Sequence, residues 1–447
     1  MRITKSIICV VIIVLLSHSS YGQTTSEVDK TTYNMYLSQE WDSLIRYAKK
    51  NIDYKTNDYY YLRMRVGRAY FEKGDFVTAI KHFKKALLFN NSSALAQQYL
   101  YYSYKYLFRN TMARNVYNHM LQEVKKNTIP LKTKLIRSVK LEAGLNISDG
   151  IEKNIDNDLL IDEAVYGEAK YIGNAKYASV GIVHELSDAL LLYHYINAFD
   201  IDIKKKFFNY EGDTSIGYNL QQFDYYLNTK YTFKSGLDVT MAIHTMSVSF
   251  PDYRMYYNDI SNEYIIDKQD VSFTDILLYA GLGKYYKKTY VKIGMGLSQI
   301  NDIKQSQVEL DISWFPFGNY SLVPGVKVVS YSEGAKNGKE AVKRFIIEPH
   351  AIISFNNNIW ITTSYTFGSL YNYFEKEGGI VYNNPDKVTA KANAEINYKF
   401  NKHIIFSIRY TYMNRESNSL YYEYTDYKES IFDCKTHYII GGITWDI

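Results

Sequence analysis

Two spacings of apolar residues divide this chain. From about residue 26 to 126 they recur every three to four positions, the repeat of amphipathic helices. After Pro130 the period falls to two, the repeat of strands. Residues 388–400 show it best: Val388, Ala390, Ala392, Ala394, Ile396, Tyr398 and Phe400 alternate with Thr389, Lys391, Asn393, Glu395, Asn397 and Lys399. In 220–233, Phe223, Tyr225, Leu227, Tyr231 and Phe233 alternate with Gln222, Asp224, Tyr226, Asn228 and Lys230. In 306–314, Val308, Leu310, Ile312 and Trp314 alternate with Gln307, Glu309, Asp311 and Ser313. Each run predicts a strand with one apolar and one polar face.

About fourteen such strands are expected, near 135–148, 176–186, 189–200, 218–233, 237–249, 271–285, 289–300, 305–316, 320–331, 343–355, 359–373, 387–400, 403–415 and 432–446. If Tyr166 to Ile172 pairs as extra strands, the count becomes sixteen. Three features favour a transmembrane β-barrel over a soluble sandwich. The strands are long enough for a tilted crossing. Aromatics gather at strand ends, as interfacial girdles do. Connections alternate in length: short at Ser187-Asp188, Lys234 to Gly236, Tyr286 to Lys288, Phe317 to Asn319, Asn356 to Asn358 and Asn401-Lys402. They are long or polar at 149–175, 201–217, 250–270, 332–342, 374–386 and 416–431. Short periplasmic turns and long outer loops are the pattern of an outer-membrane barrel, and an even count leaves both barrel ends in the periplasm. The barrel is placed at 134–447.

Ahead of it the chain reads as two further parts. Residues 1–22 have the form of a signal peptide: Arg2 and Lys5, an apolar run from Ile7 to Leu16, and small residues at Ser20 and Gly22. Residues 26–128 read as an all-α helical repeat domain. In 60–93, Gly67, Tyr70, Ala79, Phe83 and Ala86 stand at positions 8, 11, 20, 24 and 27 of a 34-residue unit. Adding 34 gives Tyr104, Ala113 and Tyr117, with Tyr101 in place of the glycine. This pattern resembles the tetratricopeptide repeat (TPR), with a degenerate first unit around Trp41 and the helix from Asp42 to Ile52. The small residues let paired helices approach and the aromatics fill the space beside them. The resemblance implies a groove that binds peptides or proteins, here a periplasmic or membrane partner.

Composition narrows the picture. Tyrosine accounts for 47 of 447 residues, and it favours strands and membrane interfaces. A formal charge of +5 over this length gives no reason to expect a nucleic-acid partner. Of two cysteines, Cys9 lies in the signal and Cys434 remains, so no internal disulfide is expected in the mature chain. The end, Gly442-x-x-Trp445-x-Ile447, resembles the C-terminal signal read by the barrel assembly machinery, with Ile447 in place of the usual Phe. Helical repeat plus barrel resembles the TPR-linked outer-membrane proteins of Bacteroidetes-type bacteria. Leu282-Gly283-Lys284-Tyr285-Tyr286, Tyr290, Gly294 and Phe250-Pro251 carry a resemblance to the YaiO-like barrel family, which implies no particular reaction.

No hydrolase, metalloprotease or phosphate-loop motif occurs, and no cofactor is expected. Gly281-Leu282-Gly283 lacks a third glycine and reads as barrel packing. His244 and Asp238 share a strand face but stand roughly 20 Å apart. Alternation places Asp224, Lys230, Asp238, His244, Glu309, Asp311, Lys327, Glu348, His350, Lys391, Glu395, Lys399 and Arg409 on the lumen face. Both signs are mixed there, which speaks against ion selectivity and for paired charges, with water or a plugging loop in a barrel this wide. The reading is a non-enzymatic outer-membrane component, in contact with membrane lipid. Its periplasmic repeat docks a partner in export, envelope assembly or polysaccharide handling. A passive diffusion channel is the alternative, and a lipid-modifying enzyme a lesser one.

Overall fold

The computed structural model describes residues 25–52, 57–149, 166–209, 212–260, 263–335, 340–383, 386–423 and 426–447. The expected signal peptide lies outside them. Two compact units divide at Pro130/Leu131.

The first unit holds seven helices: α1 Thr25–Leu37, α2 Trp41–Asn51, α3 Tyr60–Glu72, α4 Phe76–Phe89, α5 Ala94–Tyr106, α6 Asn110–Asn118 and α7 Gln122–Lys126. The first six form three helix-turn-helix pairs. Each pair turns on a residue in the left-handed region, Gln39, Gly74 and Phe108 in order. Each turn repeats one hydrogen bond: Glu40, Asp75 and Arg109 donate their N–H groups to the carbonyls of Met35, Tyr70 and Tyr104. Asp75 and Ser93 cap α4 and α5 by accepting from the N–H of Thr78 and Ala96. Gly67 is required by packing, because a Cβ there would lie 2.7 Å from the Phe83 ring. Ala79, Phe83, Ala86, Tyr104 and Ala113 are buried. In the next pair Tyr101 fills the space the glycine leaves open, and Tyr117, half-buried, tilts beside it at 5.9 Å. The first pair includes α1, which the sequence reading placed among the helices but not in a unit.

The second unit is a closed antiparallel barrel of fourteen strands. These are β1 Ile136–Asp149, β2 Tyr166–Glu185, β3 Leu190–Asn209, β4 Gly212–Thr232, β5 Leu237–Asn258, β6 Glu263–Tyr286, β7 Thr289–Ile300, β8 Ile303–Trp314, β9 Leu322–Glu333, β10 Val342–Ser354, β11 Ile359–Phe367, β14 Lys387–Lys399, β15 Ile404–Glu423 and β16 Asp426–Asp446. Two short strands, β12 Tyr373–Glu375 and β13 Ile380–Tyr382, pair only with each other. Pairing of β1 with β16 closes the wall, with Val139 opposite Trp445 and Glu142 opposite Gly442. Tight turns join β2 to β3, β4 to β5, β6 to β7, β10 to β11 and β14 to β15, and a seven-residue link, 315–321, joins β8 to β9 at the same end. Both barrel termini emerge there, since Ile447 donates to the Arg137 carbonyl at 2.9 Å and Asp446 to that of His403 at 2.7 Å.

The wall faces are inverted relative to a soluble protein. Phe223, Met241, Leu278, Ile293, Leu310 and Ile443 are exposed on the outside. Their inward neighbours Asp224, Thr240, Glu309 and Gln307 are buried. An exposed apolar belt around a polar interior is the surface of a barrel that crosses a membrane. Exposed Tyr231, Phe233, Tyr286, Trp314, Tyr398, Phe400 and Trp445 crowd its turn end.

Three expectations are corrected. Tyr166 to Ile172 adds no strand. It extends β2 to 20 residues, so the barrel has fourteen strands and not sixteen. The expected loops 201–217, 250–270 and 416–431 are largely strand, because β3 to β6 and β15–β16 run 20 to 24 residues. A crossing needs about 9–11, so these ribbons rise beyond the bilayer. Phe250-Pro251 lies inside β5 for the same reason. Pairing with β4 stops at Ser249, and Pro251 sits where that edge no longer needs an N–H. Finally, Val388 points inward. A register shift between Val388 and Ala390 turns it into a cluster with Val329, Tyr331, Ile346, Leu370 and Tyr373.

Candidate functional site

The link from β11 to β14 does not stand outside the barrel. It folds into the lumen as the β12–β13 hairpin, closed by a tight turn at Lys376–Gly378. Gly378 has φ +87°, and its neighbour Glu377 also takes the left-handed region. The sequence suggests a hairpin here in retrospect: Tyr373-Phe374 and Ile380-Val381-Tyr382 flank Gly378-Gly379.

The hairpin is held along its length by lumen side chains. At its root, Asn301 donates to the Asn372 side-chain oxygen and to the Asn383 carbonyl, both at 2.9 Å. Arg344 donates to the Tyr371 carbonyl and lies over the Tyr331 ring at 3.9 Å. Midway, the Gln307 amide donates to the Phe374 carbonyl at 2.9 Å. Glu375 is buried against Lys391 at 2.5 Å. At the tip, Glu377 meets Lys292 at 3.2 Å and accepts from Asn228 at 2.7 Å. His244 Nδ1 lies 2.6 Å from the Gly378 carbonyl, and the Tyr226 hydroxyl donates to the Glu377 carbonyl at 3.3 Å.

Inward glycines make room for rings. A Cβ on Gly296 would lie 2.0 Å from Phe374, and one on Gly294 2.0 Å from the Tyr279 hydroxyl. Tyr279 in turn donates to Glu309 at 2.6 Å. Gly281 and Gly283 play the same part for Tyr279 and Tyr290.

The residues singled out in the sequence fall into several groups. His244 lies 3.4 Å from Asp224, under the hairpin tip. Asp238 pairs with Lys230 at 3.0 Å, apart from His244, so the two residues weighed as a catalytic pair serve different contacts. Glu309 meets Lys292 at 3.2 Å. Asp311 lies 3.6 Å from His350. Glu348 takes Lys327 at 3.0 Å and Lys391 at 3.6 Å. Arg409 reaches Glu395 at 3.8 Å and Glu142 at 3.2 Å. The sequence reading did not include Glu142, Lys292, Glu375 or Glu377. Alternation in 135–148 and 289–300 was signal enough for the first two. Cys434 is buried, its thiol 3.5 Å from Arg415. Among the described residues no three His, Cys, Asp or Glu side chains gather as a metal site.

The hairpin's hydrogen bonds and ion pairs described above run to β4, β5, β7, β8, β10 and β14, while Tyr195 of β3 and Met413 of β15 pack beside the apolar clusters it enters. Tyr226 is buried beneath it, whereas Tyr177, Tyr193 and Tyr195, also inward, stay half-exposed. Lys376, at the tip, is solvent-exposed although the wall surrounds it.

No family model and no curated protein matches the chain. Solved structures that resemble the barrel include the toluene transporter TbuX of Ralstonia pickettii, at 9% identity over 70% of this chain and 90% of that one, TM-score 0.41. A FadL homologue of Pseudomonas aeruginosa matches at 10% identity over 70% and 90%, TM-score 0.42. A bacterial polysaccharide outer membrane secretin matches at 10% over 70% and 99%, TM-score 0.35. At these scores the likeness carries nothing about solute or partner.

Proposed function

We propose that the protein is an outer-membrane channel for small polar solutes, narrowed by the inward hairpin 370–383. The observation that carries this reading is the exposure of Lys376 in mid-lumen, beside half-exposed tyrosines that the hairpin does not cover. A lumen packed shut would bury them. The charges along the path are largely neutralised in pairs, which suits uncharged or weakly charged solutes. Purified protein in planar bilayers is expected to show discrete conductance steps, and silent membranes at verified insertion would overturn the reading.

A second reading concerns the helical unit. Three pairs with repeated turn geometry, and Gly67 accommodating Phe83, support a TPR-like solenoid that would lie in the periplasm and dock a protein partner in export, envelope assembly or polysaccharide handling. Crosslinking from this unit in cells is expected to recover one envelope protein reproducibly. Recovery of none would remove this reading without touching the channel.

A further inference from the structure

We propose that the uncovered side of the lumen is a sugar-binding site, formed by Tyr177, Tyr195, Glu142, Arg409, Glu395 and Lys376. The inference rests on the channel reading in taking this gap as the path of the solute.

Aromatic surface is the first component. Tyr195 does not project across the lumen. Its ring lies on Gly181, whose Cβ, if present, would stand 2.3 Å from the ring. A ring laid against the wall and half-exposed offers its other face to the lumen. The Tyr195 hydroxyl has no hydrogen-bond partner among the described residues. Tyr177 stands on the adjacent strand. Both lie within electrostatic range of Glu142 and Arg409. The C–H faces of a pyranose ring pack on such surfaces.

The second component is a planar set of donors and acceptors. Arg409 links Glu142 at 3.2 Å to Glu395 at 3.8 Å, and Lys140 meets Glu142 at 2.8 Å. The two carboxylates are thus balanced by two cations, so they attract no ion strongly. Their spare lone pairs and the remaining guanidinium N–H groups still take hydrogen bonds from vicinal hydroxyls. Lys376, from the hairpin tip, is near enough to Arg409 and Glu395 for their charges to act on it and adds three donors.

This chemistry discriminates among solutes. An apolar molecule would strip water from Glu142, Arg409 and Lys376 without replacing its hydrogen bonds. With Lys376 counted, three cations face two carboxylates, so a small cation is disfavoured, and a small anion has no use for the tyrosine faces. A hydroxylated ring satisfies both components.

Glucose and maltotriose serve as probes on the full chain, by block of ion current in bilayers and by intrinsic fluorescence in detergent. Saturable block and a fluorescence change with the same midpoint are expected. Tyr195→Leu should weaken both about tenfold, the equivalent of ~1.4 kcal/mol. Tyr195→Phe should retain most of the affinity. No saturable response to either sugar, or equal midpoints in Tyr195→Leu and the unaltered chain, overturns the site. A conducting protein blind to both sugars removes the site and leaves the channel. Saturable fluorescence without conductance supports the site and removes the channel.

Discussion

Replacing Lys391 with methionine tests whether the hairpin is a movable obstruction or a fixed part of the wall. Lys391 is 4% exposed and stands between two carboxylates, Glu375 on the hairpin and Glu348 on β10. Methionine keeps its length and removes its charge. Glu348 retains Lys327 at 3.0 Å and a hydrogen bond from Thr366 at 2.8 Å. Glu375, 2% exposed, loses the cation it pairs with. Removing one partner of a buried pair costs about 3–5 kcal/mol. That cost applies while the hairpin is seated and vanishes once Glu375 reaches water. The seated-to-displaced ratio should therefore fall by roughly 10²- to 10⁴-fold. Asn228→Leu is the graded control. It removes one donor at 2.7 Å from Glu377, which keeps Lys292 at 3.2 Å. A hydrogen bond to a charged group is worth about 1.5–3 kcal/mol, a shift of roughly 10- to 100-fold. Single-channel recording reads the displaced state as a larger conductance level. Its occupancy should rise from the unaltered chain to Asn228→Leu to Lys391→Met. If both variants match the unaltered chain while the barrel stays folded by electrophoretic heat-modifiability, or if Asn228→Leu exceeds Lys391→Met, the hairpin is not held in the manner described.

Other expectations follow from single contacts. Gly67→Val would press a branched side chain into the Phe83 ring, 2.7 Å from the first added carbon, and should destabilise the helical unit by about 1–3 kcal/mol in thermal circular dichroism at 222 nm. His82, buried beside Arg63 and stacked on Tyr70, is pushed down to about 3, chiefly by burial and then by the Arg63 charge. The fold thus prefers neutral His82. Its contribution is intact above pH 6.5 and is lost as pH falls toward 3, at about 1.4 kcal/mol per unit. His82→Phe should flatten the melting temperature of this unit between pH 6 and 4 relative to the unaltered chain, and an unchanged slope would refute the assignment. Gly294→Val would strike the Tyr279 hydroxyl and break its bond to Glu309. The barrel should lose about 1–3 kcal/mol in urea unfolding from detergent.

Much of the wall was legible because a membrane strand must show lipid an apolar face and the lumen a polar one. Phe223 against Asp224, or Leu310 against Glu309, states that division within two residues. Legibility ended where the physical demand ended. Above the bilayer lipid no longer requires one apolar face, so Lys204-Lys205-Lys206 in β3, the last two buried, and Asp267-Lys268-Gln269 in β6, exposed, lose the alternation and read as loops. They remain strands because their neighbours continue to pair. Val388 failed for another reason. A bulge changes facing by one residue and leaves no mark on composition.

The lumen illustrates a limit that no single strand can reveal. Alternation places Lys391, His244 and Arg409 on the same inner face, as equivalents. Their meaning depends on a hairpin whose contacts lie far away in sequence. Glu375 reaches Lys391 across 16 residues, but Gly378 reaches His244 across 134 and Glu377 reaches Asn228 across 149. Lys391 and His244 consequently form a socket, the Lys391 ammonium and His244 Nδ1 engaged by the hairpin itself. Arg409, with Glu142 and Glu395, forms its ion pairs within the wall, with Lys376 of the hairpin tip nearby, so part of its polarity remains available to a solute. Mixed charge along the lining is therefore two surfaces with different occupants. Lys391→Met should move the hairpin and enlarge the pore, whereas Tyr195→Leu should weaken sugar binding without raising the occupancy of the larger conductance level. A lumen acting as one undivided surface would couple those two readouts.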